Sequence, residues 1–350
     1  MAPASGGDYV ARASAANGFA RAFCGSFRDT VETARVIHGL SPTAADALGR
    51  LLMGTSIMGL MLKSDDDLLT VRMKGDGPLG GILATVGNDG IVKGYAINPK
   101  ADLPPRPDGK TDVGGAIGAG SALPTSSEVG ASGAARSDCH WQSEPSGAGT
   151  LTVTKDLGLK EPYVSQTPLI SGEVAEDLAH YFTVSEQTPS AVSLGVTFAP
   201  DGSVRAAGGL IIQMMPGASD ALAAYIEQTV LNLPPMTKML EDGLSPEGIL
   251  TEAFGGFETS FLERAPVAFR CDCSEERVEN ALLSLSIHEL RKIRDEDGQA
   301  ELTCHFCNKR YHFGKERLDA LIHERIQAFV ESLKPMTGPT PPGADGDDFR

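Results

Sequence analysis

The alternation of hydrophobic and polar residues near the start of the chain predicts a β-hairpin. Residues 9–12 and 19–23 alternate in this way, and Asn17–Gly18 between them is a strong signal for a two-residue turn. Residues 9–28 contain three arginines and no acidic residue, which is also typical of an organelle transit peptide. We favour the hairpin, because both flanking segments have strand periodicity.

The longest apolar stretch, roughly residues 43–62, predicts a buried helix over residues 41–62. Ser41 is placed as a helix N-cap, and Pro42 suits the first helical turn. Asp46 and Arg50 interrupt the apolar run, so a membrane span is not expected. We therefore predict a helix inside the protein core.

The remaining patterns up to residue 216 alternate between strands and helices. We predict strands at 68–74, 81–86, 91–97, 150–154, 192–198 and 203–213, with Asn88–Asp89–Gly90 and Asp201–Gly202 as turns, and helices at 29–38, ending at Gly39, and at 171–182, with Ser171 near its cap. Hairpins interleaved with helices favour an α+β fold over a doubly wound parallel sheet. Residues 1–216 are accordingly predicted to form a mixed α/β N-terminal domain.

Two segments have a composition that does not favour a packed fold. Residues 118–149 consist mainly of Gly, Ala, Ser and Pro, and residues 333–350 are rich in Pro, Gly and Asp. We predict a disordered insertion within the N-terminal domain and a disordered tail. Cys139–His140–Trp141 lies in the insertion, and we interpret it as part of an exposed loop rather than as a catalytic pair.

Residues 217–266 contain short helical patterns that are repeatedly interrupted. Leu222, Tyr225 and Ile226 mark one apolar face, and prolines or glycine pairs end each pattern. Helices this short are marginal unless they pack against a neighbour. The pattern fits an ordinary helical subdomain and a conditionally folded linker equally well.

Composition limits the functions that this chain can have. It has 350 residues, 41% hydrophobic content, a net charge of −16 and a pI near 4.9. This length and content allow a substantial core and two or more domains. The negative charge weakens any function that requires binding to nucleic acid or to an anionic membrane. The N-terminus lacks the apolar region of a secretory signal, so we expect the cysteines to begin as reduced thiols.

Four of the six cysteines form two close pairs near the C-terminus, Cys271–Asp272–Cys273 and Cys304–His305–Phe306–Cys307. Two such pairs are a strong zinc signature, because four thiolates can surround the ion tetrahedrally while each pair needs only a local turn. The single residue inside the first pair is tighter than the common spacing of two to four. We predict one structural Zn²⁺ bound by these four cysteines, with His305 and His312 as packing or outer-shell groups.

The zinc site is predicted to stabilise a small C-terminal domain, residues 267–332. A domain of this size has little core of its own, whereas zinc binding can contribute on the order of 10–16 kcal/mol to folding. Metal binding is therefore expected to dominate its stability.

Several motifs of this chain resemble those of the 33 kDa chaperonin family of redox-regulated heat-shock holdases. They are Gly-Thr-Leu-Thr-Val-Thr-Lys-Asp-Leu-Gly-Leu-Lys-Glu-Pro-Tyr at 149–163, Ser-Gly-Glu-Val-Ala-Glu-Asp-Leu at 171–178, Ser-Glu-Gln-Thr-Pro-Ser at 185–190, Lys-Gly-Asp-Gly-Pro at 74–78, and the cysteine motifs ending in Cys-His-Phe-Cys-Asn at 304–308. The resemblance extends from residue 8 to about 330. It places the first strand in the mature fold and makes 217–266 a metastable linker.

The resemblance also implies a function and a mechanism. Cys271, Cys273, Cys304 and Cys307 would bind zinc when reduced, and would form Cys271–Cys273 and Cys304–Cys307 disulfides when oxidised. The chain would then be an ATP-independent holdase rather than an enzyme, forming a homodimer when oxidised and binding unfolded or partly folded client proteins. Disulfides within each pair would close only very small loops, so the crosslink between the pairs would be lost and the small domain would unfold. Its linker helices would unfold with it and expose apolar faces.

Two other functions fit parts of the sequence. A zinc-ribbon nucleic-acid module would use the basic residues Arg270, Arg291, Lys292, Arg294, Lys309 and Arg310. A thiol oxidoreductase would use Cys304 and Cys307, whose two-residue spacing suits disulfide exchange. The net charge opposes the first, and the presence of a second cysteine pair argues against the second. We expect a bacterial cytoplasmic protein, with an organelle stroma as the alternative.

Overall fold

The computed structural model describes residues 7–118 and 149–332. The chain divides into two compact units, the first extending to Cys271 and the second beginning at Asp272. The predicted insertion, with Cys139–His140–Trp141, and the predicted tail lie outside the described residues, except for the end residues Gly118 and Gly149. The α+β class is confirmed.

The first unit is built from strands and helices that alternate along the chain. In order they are β1 (Tyr9–Ala15), β2 (Ala20–Ser26), α1 (Arg28–His38), α2 (Pro42–Gly59), β3 (Leu68–Lys74), β4 (Ile82–Val86), β5 (Ile91–Ala96), α3 (Val113–Ile117), β6 (Thr150–Asp156), β7 (Tyr163–Pro168), α4 (Val174–Val184), β8 (Ser190–Phe198), β9 (Val204–Met214), α5 (Asp220–Leu231), α6 (Met236–Glu241), α7 (Pro246–Ala253), β10 (Thr259–Pro266) and β11 (Ala268–Phe269).

Two sheets organise these elements. The first has the order β10-β1-β2-β9-β8 and is antiparallel throughout. The second has the order β11-β5-β4-β3-β6-β7, in which only β11 is parallel to its neighbour. Helix α2 contacts strands of both sheets, so the main core of the unit surrounds this helix.

The predicted buried helix is confirmed, although it ends at Gly59. Every residue of α2 except Pro42 and Arg50 is buried. Arg50 donates two hydrogen bonds of 2.7 Å to the carboxylate of Asp46, which allows both charges to lie inside the fold. Within the described ranges, no helix is both long enough and apolar enough to cross a membrane.

The N-terminal hairpin is confirmed, but the predicted two-residue turn is wrong. The last β1–β2 pair is Ala15 with Ala20, so four residues connect the strands. Asn17 and Gly18 lie in this loop at φ values of 57° and 86°. The strands are longer than the sequence pattern suggested because the small side chains of Ala13 and Ala15 are also buried in the sheet.

Helix α4 begins three residues later than predicted. Asp177 explains the difference, because its Oδ1 accepts hydrogen bonds from the backbone N–H groups of Ile170, at 2.6 Å, and of Ser171. These bonds hold the preceding segment as a loop. Ser171 still contributes at the helix start, since its Oγ accepts a bond from the N–H of Glu173.

Helices α5, α6 and α7 contribute to a second hydrophobic core with β1, β2 and β9. One part of the predicted helical region 217–266 is wrong, because its last eight residues form strand β10. Gly255 and Gly256, both at positive φ, end the helical segment, and the chain then pairs with β1 along the edge of the first sheet. A strand is therefore the last part of this region.

The second unit is small. It consists of α8 (Glu275–Leu283), α9 (Ile287–Glu296), β12 (Gln299–Thr303), β13 (Arg310–Gly314) and α10 (Lys315–Ser332). Strands β12 and β13 form an antiparallel hairpin. Eight buried residues make up its core, among them Leu290, Phe313 and Leu321.

Candidate metal centre

The turn between β12 and β13 brings Cys304 and Cys307 together. The last pair of the hairpin is Thr303 with Arg310, and the N–H of Cys304 donates to the carbonyl of Lys309 at 2.9 Å. The N–H of Asn308 donates to the carbonyl of Cys304 at 2.8 Å, and Asn308 has a φ of 58°. Asparagine tolerates this left-handed conformation, which closes the turn tightly.

Cys273 directly precedes Ser274, the N-cap of helix α8. Ser274 caps the helix, its Oγ accepting a hydrogen bond from the N–H of Arg277 at 3.2 Å. The guanidinium of Arg277 forms an ion pair with Asp272, which lies between the two cysteines of the first pair. The capped helix and this ion pair give the Cys271–Cys273 segment a defined local structure.

All four predicted cysteines meet in one cluster. Their Sγ atoms lie within 4.8 Å of one another, and those of Cys273 and Cys307 are 3.3 Å apart. Zn–S bonds of about 2.3 Å in a tetrahedron place neighbouring sulfurs about 3.8 Å apart, so the cluster has the size that such an ion requires. The cluster can hold a metal ion, and its sulfur-only donor set favours a soft or borderline metal.

Tyr311, which no sequence motif singled out, contacts the cluster. Its hydroxyl donates a hydrogen bond to the Sγ of Cys273 at 3.1 Å. This bond, together with burial and the neighbouring thiols, raises the pKa of Tyr311. The ammonium of Lys309 lies 4.8 Å from the centre of its ring. The alternation of Tyr311 and Phe313 along β13, directly after the second cysteine pair, is a sequence signal that pointed to an aromatic residue facing inward.

The other candidate residues are not members of the cluster. Among the described residues, the group able to hold a metal ion contains cysteines only, so neither His305 nor His312 belongs to it. His312 instead lies 3.4 Å from the carboxylate of Glu301 on the paired strand. Cys24 is fully buried beneath the helices of the second hydrophobic core, and burial strongly raises the pKa of its thiol.

A large α+β unit, a small C-terminal unit and a cluster of four thiols together define a class of protein in which cysteine chemistry is linked to metal binding. The model of the Hsp33 protein family matches residues 8–314. A 33 kDa chaperonin of Clostridioides difficile is 44% identical over 317 residues, which cover 91% of this chain and 99% of that protein. A 33 kDa chaperonin of Caldanaerobacter subterraneus is 40% identical over 318 residues, with coverage of 91% and 99%.

A solved structure agrees with these matches. The crystal structure of the Hsp33 homologue of Thermotoga maritima has a TM-score of 0.78 and 36% sequence identity to this chain, covering 91% of this chain and 99% of that one. The chain belongs to the Hsp33 family. It is a redox-regulated molecular chaperone, and none of these comparisons supports a nucleic-acid-binding protein or a thiol oxidoreductase.

Proposed function

We propose that this chain is an ATP-independent holdase that binds unfolding proteins after oxidation releases Zn²⁺ from Cys271, Cys273, Cys304 and Cys307. The observation that carries the proposal is the meeting of the four Sγ atoms within 4.8 Å, three of them on cysteines of the unit with the small core. A metal bound there joins two chain segments about thirty residues apart. It is the crosslink whose loss an oxidant can cause.

The oxidation is balanced by a two-electron oxidant such as hydrogen peroxide. Each pair of thiolates gives up two electrons and forms one S–S bond, while one peroxide takes these electrons and two protons and becomes two waters. Two peroxides convert the cluster into Cys271–Cys273 and Cys304–Cys307 disulfides. Neither disulfide binds Zn²⁺ as the thiolates do, so the ion is released.

Loss of the metal unfolds the second unit, which comprises residues 272–332 of the described chain. Eight buried residues bury too little apolar surface to offset the entropy of ordering a segment of this length. The two disulfides constrain only very short loops and do not replace the lost crosslink.

The helices α5, α6 and α7 are the next elements to lose order. They have 12, 6 and 8 residues, and helices of this length are marginal without tertiary packing. Their undocking exposes apolar residues of the second hydrophobic core, including Leu210, Ile212 and Phe254. An exposed apolar surface of this kind binds the apolar segments of unfolding proteins.

The proposal also includes a compartment, an oligomeric state and a role for the linker. The protein acts in the cytoplasm, where the thiols are reduced until stress oxidises them. Its activated form is a homodimer, and it performs no catalysis on its clients. Residues 217–266 serve as the metastable linker between the chaperone domain and the zinc-binding domain predicted at 267–332, of which residues 272–332 form the second unit.

The test follows zinc, thiols and chaperone activity in the same sample. Peroxide at mildly elevated temperature should release one Zn²⁺ per chain, consume four thiols and convert the protein into a suppressor of light scattering by a heat-aggregating client. Addition of dithiothreitol and zinc should reverse these changes. Equal suppression before and after peroxide treatment would show a constitutive binder and contradict the switch.

A further inference from the structure

Strand β10 covers one edge of β1 but contributes little buried surface. None of its eight residues is buried, and the large side chains of Phe261 and Leu262 are 48% and 57% exposed. Strand β2, on the other side of β1, has five buried residues out of seven. Backbone hydrogen bonds rather than apolar packing therefore hold β10 in place.

The β1–β10 pairing is also irregular. Arg12 pairs with Glu263 and Ala13 pairs with Phe261, so the register passes over Leu262 as a bulge. The β1–β2 pairing runs without a shift from Tyr9 to Ala15. The ladder between β1 and β10 is therefore interrupted, whereas the ladder between β1 and β2 is continuous.

Few side-chain contacts hold β10 in place, and one of them is made to helix α7 of the linker. Arg264 forms an ion pair of 2.5 Å with Glu247 on α7, and Glu247 also accepts a hydrogen bond of 2.9 Å from the hydroxyl of Tyr9. The other pair, Arg12 with Glu263, is exposed and separated by 3.4 Å. Exposed pairs contribute little, and undocking of α7 would remove the link through Glu247.

We infer that β10 is an autoinhibitory strand, and that its release opens the edge of β1 to an extended segment of an unfolded polypeptide. The inference rests on the proposed function, for which it names a docking site. When β10 leaves, the backbone N–H and C=O groups on that side of β1 lose their partners, and such an edge pairs readily with another strand.

The occupant is an unfolded client segment because β10 itself shows what fits this edge. It is an extended run that pairs through its backbone and leaves its large side chains outside. Backbone pairing requires little of the sequence, which suits a chaperone that binds many clients. On the face shared with the second hydrophobic core, β1 presents Tyr9 at its start and then only the small residues Ala11, Ala13 and Ala15, so bulky client side chains meet no steric obstacle along residues 11–15.

Hydrogen exchange of the full-length protein tests the inference. Three samples are compared: the reduced zinc-bound protein, the peroxide-activated protein, and the activated protein with reduced, carboxymethylated α-lactalbumin, an unfolded polypeptide without thiols. Amides of β1 and β10 should be protected in the first sample and exchange at least about tenfold faster in the second. In the third sample β1 should regain protection while β10 remains open.

Three results would overturn the inference. The first is continued protection of β10 in a protein that suppresses aggregation. The second is a β1 that stays open when the client is bound. The third is recovery of β1 without client in a manner that depends on protein concentration, because a second copy of this chain would then occupy the edge.

A crosslink provides an independent test. Ser14 lies opposite Ser260 on β10 and opposite Arg21 on β2. A cysteine at position 14 can therefore be crosslinked to β10, which prevents release of that strand, or to β2, which serves as the matched control. Opposite residues of antiparallel strands have Cα atoms about 4.5–5.5 Å apart, within the range of a disulfide. S14C/S260C should suppress aggregation at least about tenfold less well than S14C/R21C after the same peroxide treatment, with equal zinc release.

The two proposals can fail separately. If oxidised wild-type protein releases zinc but suppresses no aggregation, the proposed function fails. If the wild type and S14C/S260C suppress aggregation equally well, only the docking site at β1 fails.

Discussion

Cys304 begins the turn that closes the β12–β13 hairpin, and its Sγ belongs to the four-sulfur cluster. We predict that Cys304→Ser lowers zinc affinity by at least about 100-fold, because loss of even an outer-shell partner typically costs 10–100-fold. The variant should also be partly active without oxidant. Zinc affinity measured by chelator competition, together with light scattering under reducing conditions, checks both effects.

Cys24→Ala is the matched control for that substitution. Cys24 is a buried thiol in the first unit and does not belong to the cluster. The control should keep full zinc affinity and full dependence on oxidant. A Cys304→Ser protein that still held one zinc tightly and still required oxidant would show that this thiol is not a ligand.

Asp177 makes the stability of the first unit dependent on pH. Burial is the main cause that raises its pKa to about 7, and its Oδ2 has no hydrogen-bond partner among the described residues. Because the folded-state pKa exceeds the unfolded value of about 3.9, the folded state holds this proton more tightly. The stabilisation is fully present below the unfolded pKa and is lost as pH rises through about 7.

Asp177→Asn should therefore remove a fall in the free energy of unfolding between pH 4 and 7. A shift of about three pH units corresponds to about 4 kcal/mol. The hydrogen bond from Ile170 can be retained by the asparagine oxygen. Denaturant unfolding across this pH range measures the effect. Asp8→Asn is the comparison, because burial raises the pKa of Asp8 to about 6. The fall in stability that Asp8→Asn removes should therefore end about one pH unit below the fall removed by Asp177→Asn. Identical pH profiles for wild type and Asp177→Asn would contradict the assignment.

At the scale of elements, α6 packs directly on β9 at Gly208. A Cβ atom at this position would lie 2.4 Å from Cδ1 of Leu240 and 2.9 Å from Cε of Met236. Gly208→Val should therefore push α6 away from the sheet and loosen the linker while the zinc cluster remains intact. We expect partial aggregation suppression without oxidant and faster alkylation of Cys24, measured by peptide mass spectrometry.

Gly248→Ala on α7 is the control for Gly208→Val. The nearest atom to its Cβ would be Oγ of Ser245 at 3.6 Å, an ordinary contact. Alanine in this helix should stabilise the docked linker by about 0.5–1 kcal/mol and leave the oxidant requirement unchanged. If Gly208→Val also behaved like the reduced wild type, the position of α6 would not control activity.

The sequence predicted well those elements whose signals are local. The buried helix α2 was identified because Ser41 and Pro42 mark its start, and β3 was predicted with its observed bounds, 68–74. Strand β10 was missed because its residues are nearly all exposed and lack the alternation of a half-buried strand. Pairing with β1, which is about 250 residues away, makes it a strand.

The candidate site shows the same division between local and distant information. Cysteine spacing predicted the four members of the cluster, because each pair lies in one short segment. The contact of Tyr311 with Cys273 depends on how two segments 38 residues apart come together. The alternation along β13 indicates only that Tyr311 faces inward and does not specify which residue it contacts.

At the scale of the whole molecule, the two units should respond differently to removal of zinc. Chelation under reducing conditions, which prevents disulfide formation, should unfold the second unit and leave the first unit folded. The reason is that zinc contributes on the order of 10–16 kcal/mol to a small metal-dependent domain, whereas the first unit has a large core around α2.

Hydrogen exchange resolved by peptide measures this difference. Amides of α8, α9 and the β12–β13 hairpin should lose protection, while those of β3, β4 and β6 should keep it. Restoration of zinc should reverse the loss. A second unit that remained fully ordered without its ion would leave the oxidant nothing to unfold.

The C-terminal end of β10 has a feature that limits how the strand can leave the sheet. Pro266 lies opposite Tyr9 and has no N–H to donate, so the next backbone bond, from Val267 N–H to the carbonyl of Asp8 at 3.1 Å, secures this end of the strand. Fraying that arrives from Arg270 must therefore first break the pairing of β11 with β5, including the bond from the N–H of Arg270 to the carbonyl of Val92 at 3.0 Å, and then the Val267 bond before it reaches the ladder. Release of β10 from this end therefore requires β11 to leave β5 first, which makes the two-residue strand β11 the anchor of the longer one.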